Sequence, residues 1–371
     1  MKALPFVTCI VGLCFVPGLS AQSGLAPSPT VSGAPWGGKA AAAYLDERIA
    51  WWMSWPSAAR DHDTFCVSCH TAVPYAIARP SLRPVMGEQA ASTLERRLLD
   101  NVAKRVRMWK EVEPFYPTKK DTDPKTIESR GTESILNALI LASNDAPTGK
   151  LSADARLALE NMWGEQLKTG DAAGAWSWLQ FHNSPWEGDS QYYGATLAAI
   201  AVGTAPGNYR SSPELQDRLK LLSEYLLRER EAQVPINRVM LLWASAKLPG
   251  LLTRAQQESI IAEAVGKQQE DGGFSLSSFV GAWKRKDNTP LDARSDGYAT
   301  GVVVFALQQT GTADRRAVKR GLEWLASNQD KKDGHWQAWS LNKQRDPASD
   351  AGRFMSDAAT AYAVLALSAA H

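Results

Sequence analysis

Cysteine is scarce in this chain: its 371 residues hold four. Cys9 and Cys14 fall within the first twenty residues, which leaves Cys66 and Cys69 for the body of the protein. A disulfide framework would spread several pairs along a chain of this size, so two thiols three positions apart exclude one. A bias toward one sign of charge is also missing. Lys and Arg total 41 against 39 Asp and Glu, a net charge of +2, which leaves no basic footprint for nucleic acid. Long apolar runs are missing too. The stretch Phe6 to Val16 is far shorter than the roughly 20 residues a membrane-spanning helix needs, so no membrane span is expected.

What is present begins with a targeting signature. Lys2, the short apolar stretch and the small residues around Ser20-Ala21 predict a signal peptide over 1–21. The mature protein is then expected in the periplasm or secreted. Residues 22–38 are rich in Gly, Pro and Ser and read as a flexible linker, followed by one domain over 39–371. Fourteen Trp are concentrated there, each a large apolar surface that packing must use.

Helix signals dominate that domain. Ser92-Thr-Leu-Glu95 and Thr253-Arg-Ala-Gln256 are capping boxes, and Ser152, Ser212 before Pro213, and Thr312 have the character of helix starts. These starts recur at intervals of 60, 60, 41 and 59 residues, which predicts repeated units of helix, loop and second helix. The second helices, over 131–143, 194–203, 236–248, 297–311 and 357–370, are apolar nearly all round and should be buried on every side. The first helices are amphipathic; Val318, Leu322 and Leu325 share a face away from Lys319, Arg320 and Glu323. With a first unit around YLDERIAWWMSW and HTAVPYAIA, the count is about six. No single hairpin can bury its apolar face alone, and six closing into a ring bury all of them. The expected fold is all-α, a single (α/α)6 toroid.

The loops sharpen this. Arg320-Gly321-Leu322-Glu323-Trp324-Leu325 leads to Gln329 and then Gly334-His335-Trp336; Gln268-Gln269 precedes Gly272-Gly273-Phe274, and Gln166 precedes Gly174-Ala175-Trp176. The pattern resembles the glutamine–tryptophan repeat of squalene–hopene and oxidosqualene cyclases and of prenyltransferase β subunits, over roughly residues 40–371. The resemblance implies an α/α toroid and an apolar or isoprenoid small molecule as one class of partner. The acid motif of those cyclases is not reproduced: Asp61-His62-Asp63-Thr64 and Asp121-Thr122-Asp123-Pro124 each lack its final acid. Asp296 and Asp357, each following a Ser in matching repeats, are the candidate catalytic acids, against the plainer alternative that they cap inner helices.

One motif carries chemistry of its own. Cys66-Val67-Ser68-Cys69-His70 has the spacing at which two thiols reach the two vinyl groups of one porphyrin, with the following imidazole placed under the iron. One covalent haem c is therefore expected, held by Cys66 and Cys69 with His70 as the metal ligand. A local Cys66–Cys69 disulfide and a zinc site with His70 and a carboxylate are the alternatives. Met53, Met86, Met108 and His62 are the nearest candidates for a second axial ligand. The expected function is electron transfer with a redox partner protein, or redox chemistry on an apolar ligand. Two other classes stay open: a terpenoid cyclase- or transferase-like enzyme without haem, and a lipid- or protein-binding module clipped by the disulfide.

Overall fold

A computed structural model describes Met1 and residues 36–117, 124–188, 191–311 and 315–370. The leader over 1–21 and the linker as far as residue 35 lie outside the described residues, apart from Met1, and so does Thr312. Among the described residues six helices form an outer ring: α1 (Gly38–Ser54), α4 (Thr93–Arg107), α6 (Ala153–Gly164), α8 (Gln216–Glu229), α10 (Arg254–Val265) and α12 (Arg315–Ser327). Six form an inner ring: α2 (Ala72–Ala78), α5 (Pro124–Asp145), α7 (Tyr192–Thr204), α9 (Pro235–Lys247), α11 (Gly297–Thr310) and α13 (Phe354–Ser368). A single-turn helix, α3 (Arg83–Met86), and a two-residue antiparallel ladder pairing Ala59 with Phe65 and Arg60 with Thr64 complete the first unit. The inner helices contact one another in chain order, and α13 returns to α2, closing the ring. This is the (α/α)6 toroid that the repeats predict.

The capping residues act as expected. Ser92 and Thr253 form reciprocal boxes with Glu95 and Gln256, and Ser152 accepts from Ala155 N. Ser212 instead leads into a 3₁₀ turn over Pro213–Leu215 before α8 begins. The inner helices are buried on all sides: from Tyr298 to Leu307, every residue of α11 is buried.

The three glutamines of the loop motif share one task. Gln166 Nε2 donates to Gly174 O (3.2 Å) and to Arg218 O on α8 (3.0 Å). Gln268 Nε2 donates to Gly272 O and to Ala317 O on α12, both at 2.9 Å. Gln329 Nε2 donates to Gly334 O (2.8 Å) and to Gly37 O beside α1 (3.1 Å). Each amide thus ties its own loop to the next outer helix, and the last joins the final unit to the first. The paired glycines need their lack of a side chain. Gly174 has φ +97°, and a Cβ there would lie 2.0 Å from Leu221 O. Gly174→Ala should cost about 1–3 kcal/mol through this overlap, with further backbone strain, read as a lower denaturation midpoint.

Several buried charges are paired across the fold. Arg105, fully enclosed, pairs with the equally enclosed Glu133 (2.6 Å), and Arg79 grips Asp46 and Glu88. Arg48 on α1 meets Asp357 on α13 at 2.8 Å, and both are about 1% exposed. No helix among the described residues is long and apolar enough to cross a membrane.

Candidate functional site

The Cys66–His70 segment runs from the short ladder into the first turn of α2, on the side of the ring where the inner helices begin. Trp52 of α1 donates through Nε1 to Cys66 O (2.6 Å), and Ser68 Oγ accepts from the backbone N–H groups of Thr71 and Ala72. These bonds fix the loop, and the sequence order then presents Cys69 and His70 at the start of an inner helix. Both cysteines are free thiols and are buried, 6% and 5% exposed. Burial pushes the Cys66 thiol up to about 12 and Cys69 well above its ordinary value. Neither is a thiolate nucleophile at neutral pH. In chain made without any attached group, both thiols should react with iodoacetamide only on unfolding; rapid native-state labelling would contradict this burial.

His70 is the part-exposed member of the motif. Its ring stacks on Phe354 (3.9 Å between centroids, 25°), meets Trp52 edge-on at 5.1 Å, and has Trp186 at 5.6 Å. The imidazole is oriented by hydrogen bonding. Thr71 Oγ1 donates its only proton to Asp357 Oδ2 (2.6 Å), so toward His70 Nδ1, 2.8 Å away, it can only accept. Nδ1 therefore carries the ring proton, and Nε2 carries a bare lone pair. Nε2 makes no hydrogen bond among the described residues. Burial pushes the imidazole down to about 3, with Arg48 and Arg345 adding to it, so the ring is neutral.

Asp357 is the hub of this arrangement. Its Oδ1 accepts from Arg48 Nε (2.8 Å) and from the Tyr44 hydroxyl (3.0 Å), while Oδ2 holds Thr71. Burial raises its pKa, and the charge of Arg48 with the hydrogen bonds from Arg48, Thr71 and Tyr44 opposes that shift. Asp296 stands apart from this network. Its side chain caps α11 by accepting from Ala299 N (2.8 Å) and binds Leu276 N (2.6 Å), and burial pushes it up to about 7. Of the two acids singled out in the sequence, Asp357 is joined to His70 through Thr71, and Asp296 is committed to backbone groups.

Other residues of the mouth have structural partners. Glu128 pairs with Lys125, and Trp176, Trp178 and Trp336 are buried in packing between units. His62 is exposed and bonded to Asp61, Met86 is exposed, and Met53 lies in the core. The segment 181–188 was not legible as part of the site. It brings Trp186 to both His70 and Tyr298, and carries Glu187, whose carboxyl burial pushes up to about 7.

The donor set discriminates between the groups it could hold. Among the described residues, the one cluster whose ligand atoms converge as a metal requires is Asp330, Asp333 and His335. Cys66, Cys69 and His70 do not converge in this way, which disfavours the zinc alternative. In covalent haem the sulfurs bond to the porphyrin edge and only the imidazole meets the metal, so convergence on one point is not needed. A ligating histidine characteristically gives its other N–H to an oxygen, as Nδ1 does here. The His70 ring is flanked by Phe354, Trp52 and Trp186. The residues present fit a c-type haem. The enclosed thiols add one condition: a haem would have to be attached before the chain closes around them.

No protein-family model matches this chain, and no curated protein is significantly similar to it. Among solved structures it is similar to the GH76A alpha-1,6-mannanase from Salegentibacter sp. HEL1_6 (12% identity over 90% of this chain and 98% of that one, TM-score 0.52). An inactive variant of that enzyme in complex with alpha-1,6-mannotriose matches to the same degree (11% identity, 88% and 99% covered, TM-score 0.52). At such identities the likeness concerns the α/α toroid alone.

Proposed function

We propose that this chain is an exported c-type haem protein, bearing one porphyrin on Cys66 and Cys69 with His70 Nε2 as the axial ligand, and that it exchanges electrons. The observation that carries this is the relay from His70 Nδ1 through Thr71 to Asp357, which presents an unengaged Nε2 lone pair beside two free thiols. Bound haem would supply a one-electron iron couple. The chain's own residues do the rest: Thr71 and Asp357 hold the imidazole in one tautomer, and Phe354, Trp52 and Trp186 keep water from its faces. Arg48, held between Asp357 and Asp350, fixes the carboxylate at the far end of the relay.

The electron acceptor or donor is a redox partner protein or an apolar, isoprenoid-like small molecule, and the periplasm or the exterior is where the leader over 1–21 would send the chain. A terpenoid cyclase-like reaction is less well supported, because both acids it would use are occupied by N–H, hydroxyl and guanidinium donors. A carbohydrate-processing role would rest on fold likeness alone. Production with and without the haem-attachment machinery tests the proposal. A reduced alkaline pyridine spectrum of a c-type haem is expected only with the machinery; purified, folded chain with no such spectrum in either case would overturn it.

A further inference from the structure

Segment 184–188 separates His70 from a second feature of the same mouth, a cavity of about 270 Å³. Ser184, Tyr193, Gln233, Asn237, Val280 and Trp283 form most of its wall, and none of the described residues lining it is charged. Two of its polar residues are more than nine-tenths buried. Asn237 is 8% exposed; its Nδ2 donates to Gln233 Oε1 (2.9 Å), and its Oδ1 accepts nothing. Ser184 is 6% exposed and lines the cavity. Both side chains are held by their burial and open on one cavity, where the hydroxyl groups of a guest can pair with them. Trp283 is stacked on one face by His182 (4.1 Å, 18°) and anchored by its Nε1 to Leu341 O (2.9 Å), which holds the indole rigidly at the wall.

We infer that this cavity binds one neutral ring bearing hydroxyl groups, either a single pyranose or a hydroxylated alicycle. The described part of the lining is uncharged and offers an ion no counter-charge for its lost hydration. The indole of Trp283 and the ring of Tyr193 suit the C–H face of a saturated ring. Asn237 Oδ1 calls for a donor, and Ser184 can take either role. The volume, at the small end of ligand pockets, limits the guest to about one ring. This inference goes beyond the haem proposal and does not depend on it.

The test uses the mature chain, titrated in turn with methyl β-D-glucopyranoside, menthol and the hydroxyl-free p-menthane, by calorimetry and saturation-transfer NMR. One of the two hydroxylated probes should bind at least about tenfold tighter than p-menthane, the value of one well-made buried hydrogen bond, and which one does identifies the source. Asn237→Ala should abolish that preference without altering the thermal transition. Should that variant fail to fold, Trp283→Phe serves in its place and should weaken the bound probe. No binding of either hydroxylated probe, equal binding of p-menthane, or indifference to both variants would overturn the inference and leave the cavity to water.

Discussion

Replacing Asp357 with Ala should destabilise the folded chain by about 3–5 kcal/mol, seen as a large fall in the urea midpoint with the slope unchanged. The size follows from what is left behind. Arg48 is about 1% exposed and would lose its Nε partner, while the hydroxyls of Tyr44 and Thr71 would each lose their acceptor. Arg48 keeps Asp350, to which it donates at 2.8 Å, but the Asp350 side chain is about half exposed and cannot neutralise a buried charge to the same extent. A double change, Arg48→Met with Asp357→Leu, should recover much of the loss, because breaking a buried pair is costlier than removing it whole. Thr71→Val separates stability from positioning. It cuts the relay while leaving the Arg48–Asp357 pair intact, so it should cost far less stability. In the haem-loaded protein it should raise the midpoint potential, because the imidazole loses the acceptor that makes it electron-rich. An unchanged potential would leave Asp357 with a structural role only.

The second large effect concerns the thiols. The double variant Cys66→Ala/Cys69→Ala should carry no covalent haem, and each single variant should retain one thioether. These losses should be complete within detection, because no other cysteine lies among residues 22–371. Both cysteines are buried, so haemin added to folded wild-type chain should form no adduct. Adduct formation on simple mixing would contradict the requirement that attachment precede closure. The alanine changes remove little volume, and the apo forms of the variants should fold.

The toroid was readable because its rules are local. Ser92, Ser152 and Thr253 announce helix starts through side chains that reach only three residues ahead. The all-apolar inner helices follow from composition, and the Gln–Gly pairs mark the loops. Boundaries were less legible where polar residues begin a buried helix. α5 starts at Pro124, seven residues before its apolar pattern, because Lys125 and Glu128 satisfy each other at its first turns. Cys66, Cys69 and His70 were visible as a contiguous motif, and Asp357 only as an acid at a helix start. The bond that gives Asp357 its place spans 286 residues, from Thr71 to α13, and depends on ring closure. The same holds for Arg48, 309 residues from Asp357, and for Trp186, which reaches His70 from a loop with no helical period to betray it.

The most direct measurement is the mass of the peptide over residues 61–96, released by cleavage after Arg60 and Arg96 from protein made with the haem-attachment machinery. The account predicts that this peptide carries one haem bonded through both Cys66 and Cys69. The same peptide at its unmodified mass, or lighter by two hydrogens through a Cys66–Cys69 disulfide, would contradict it.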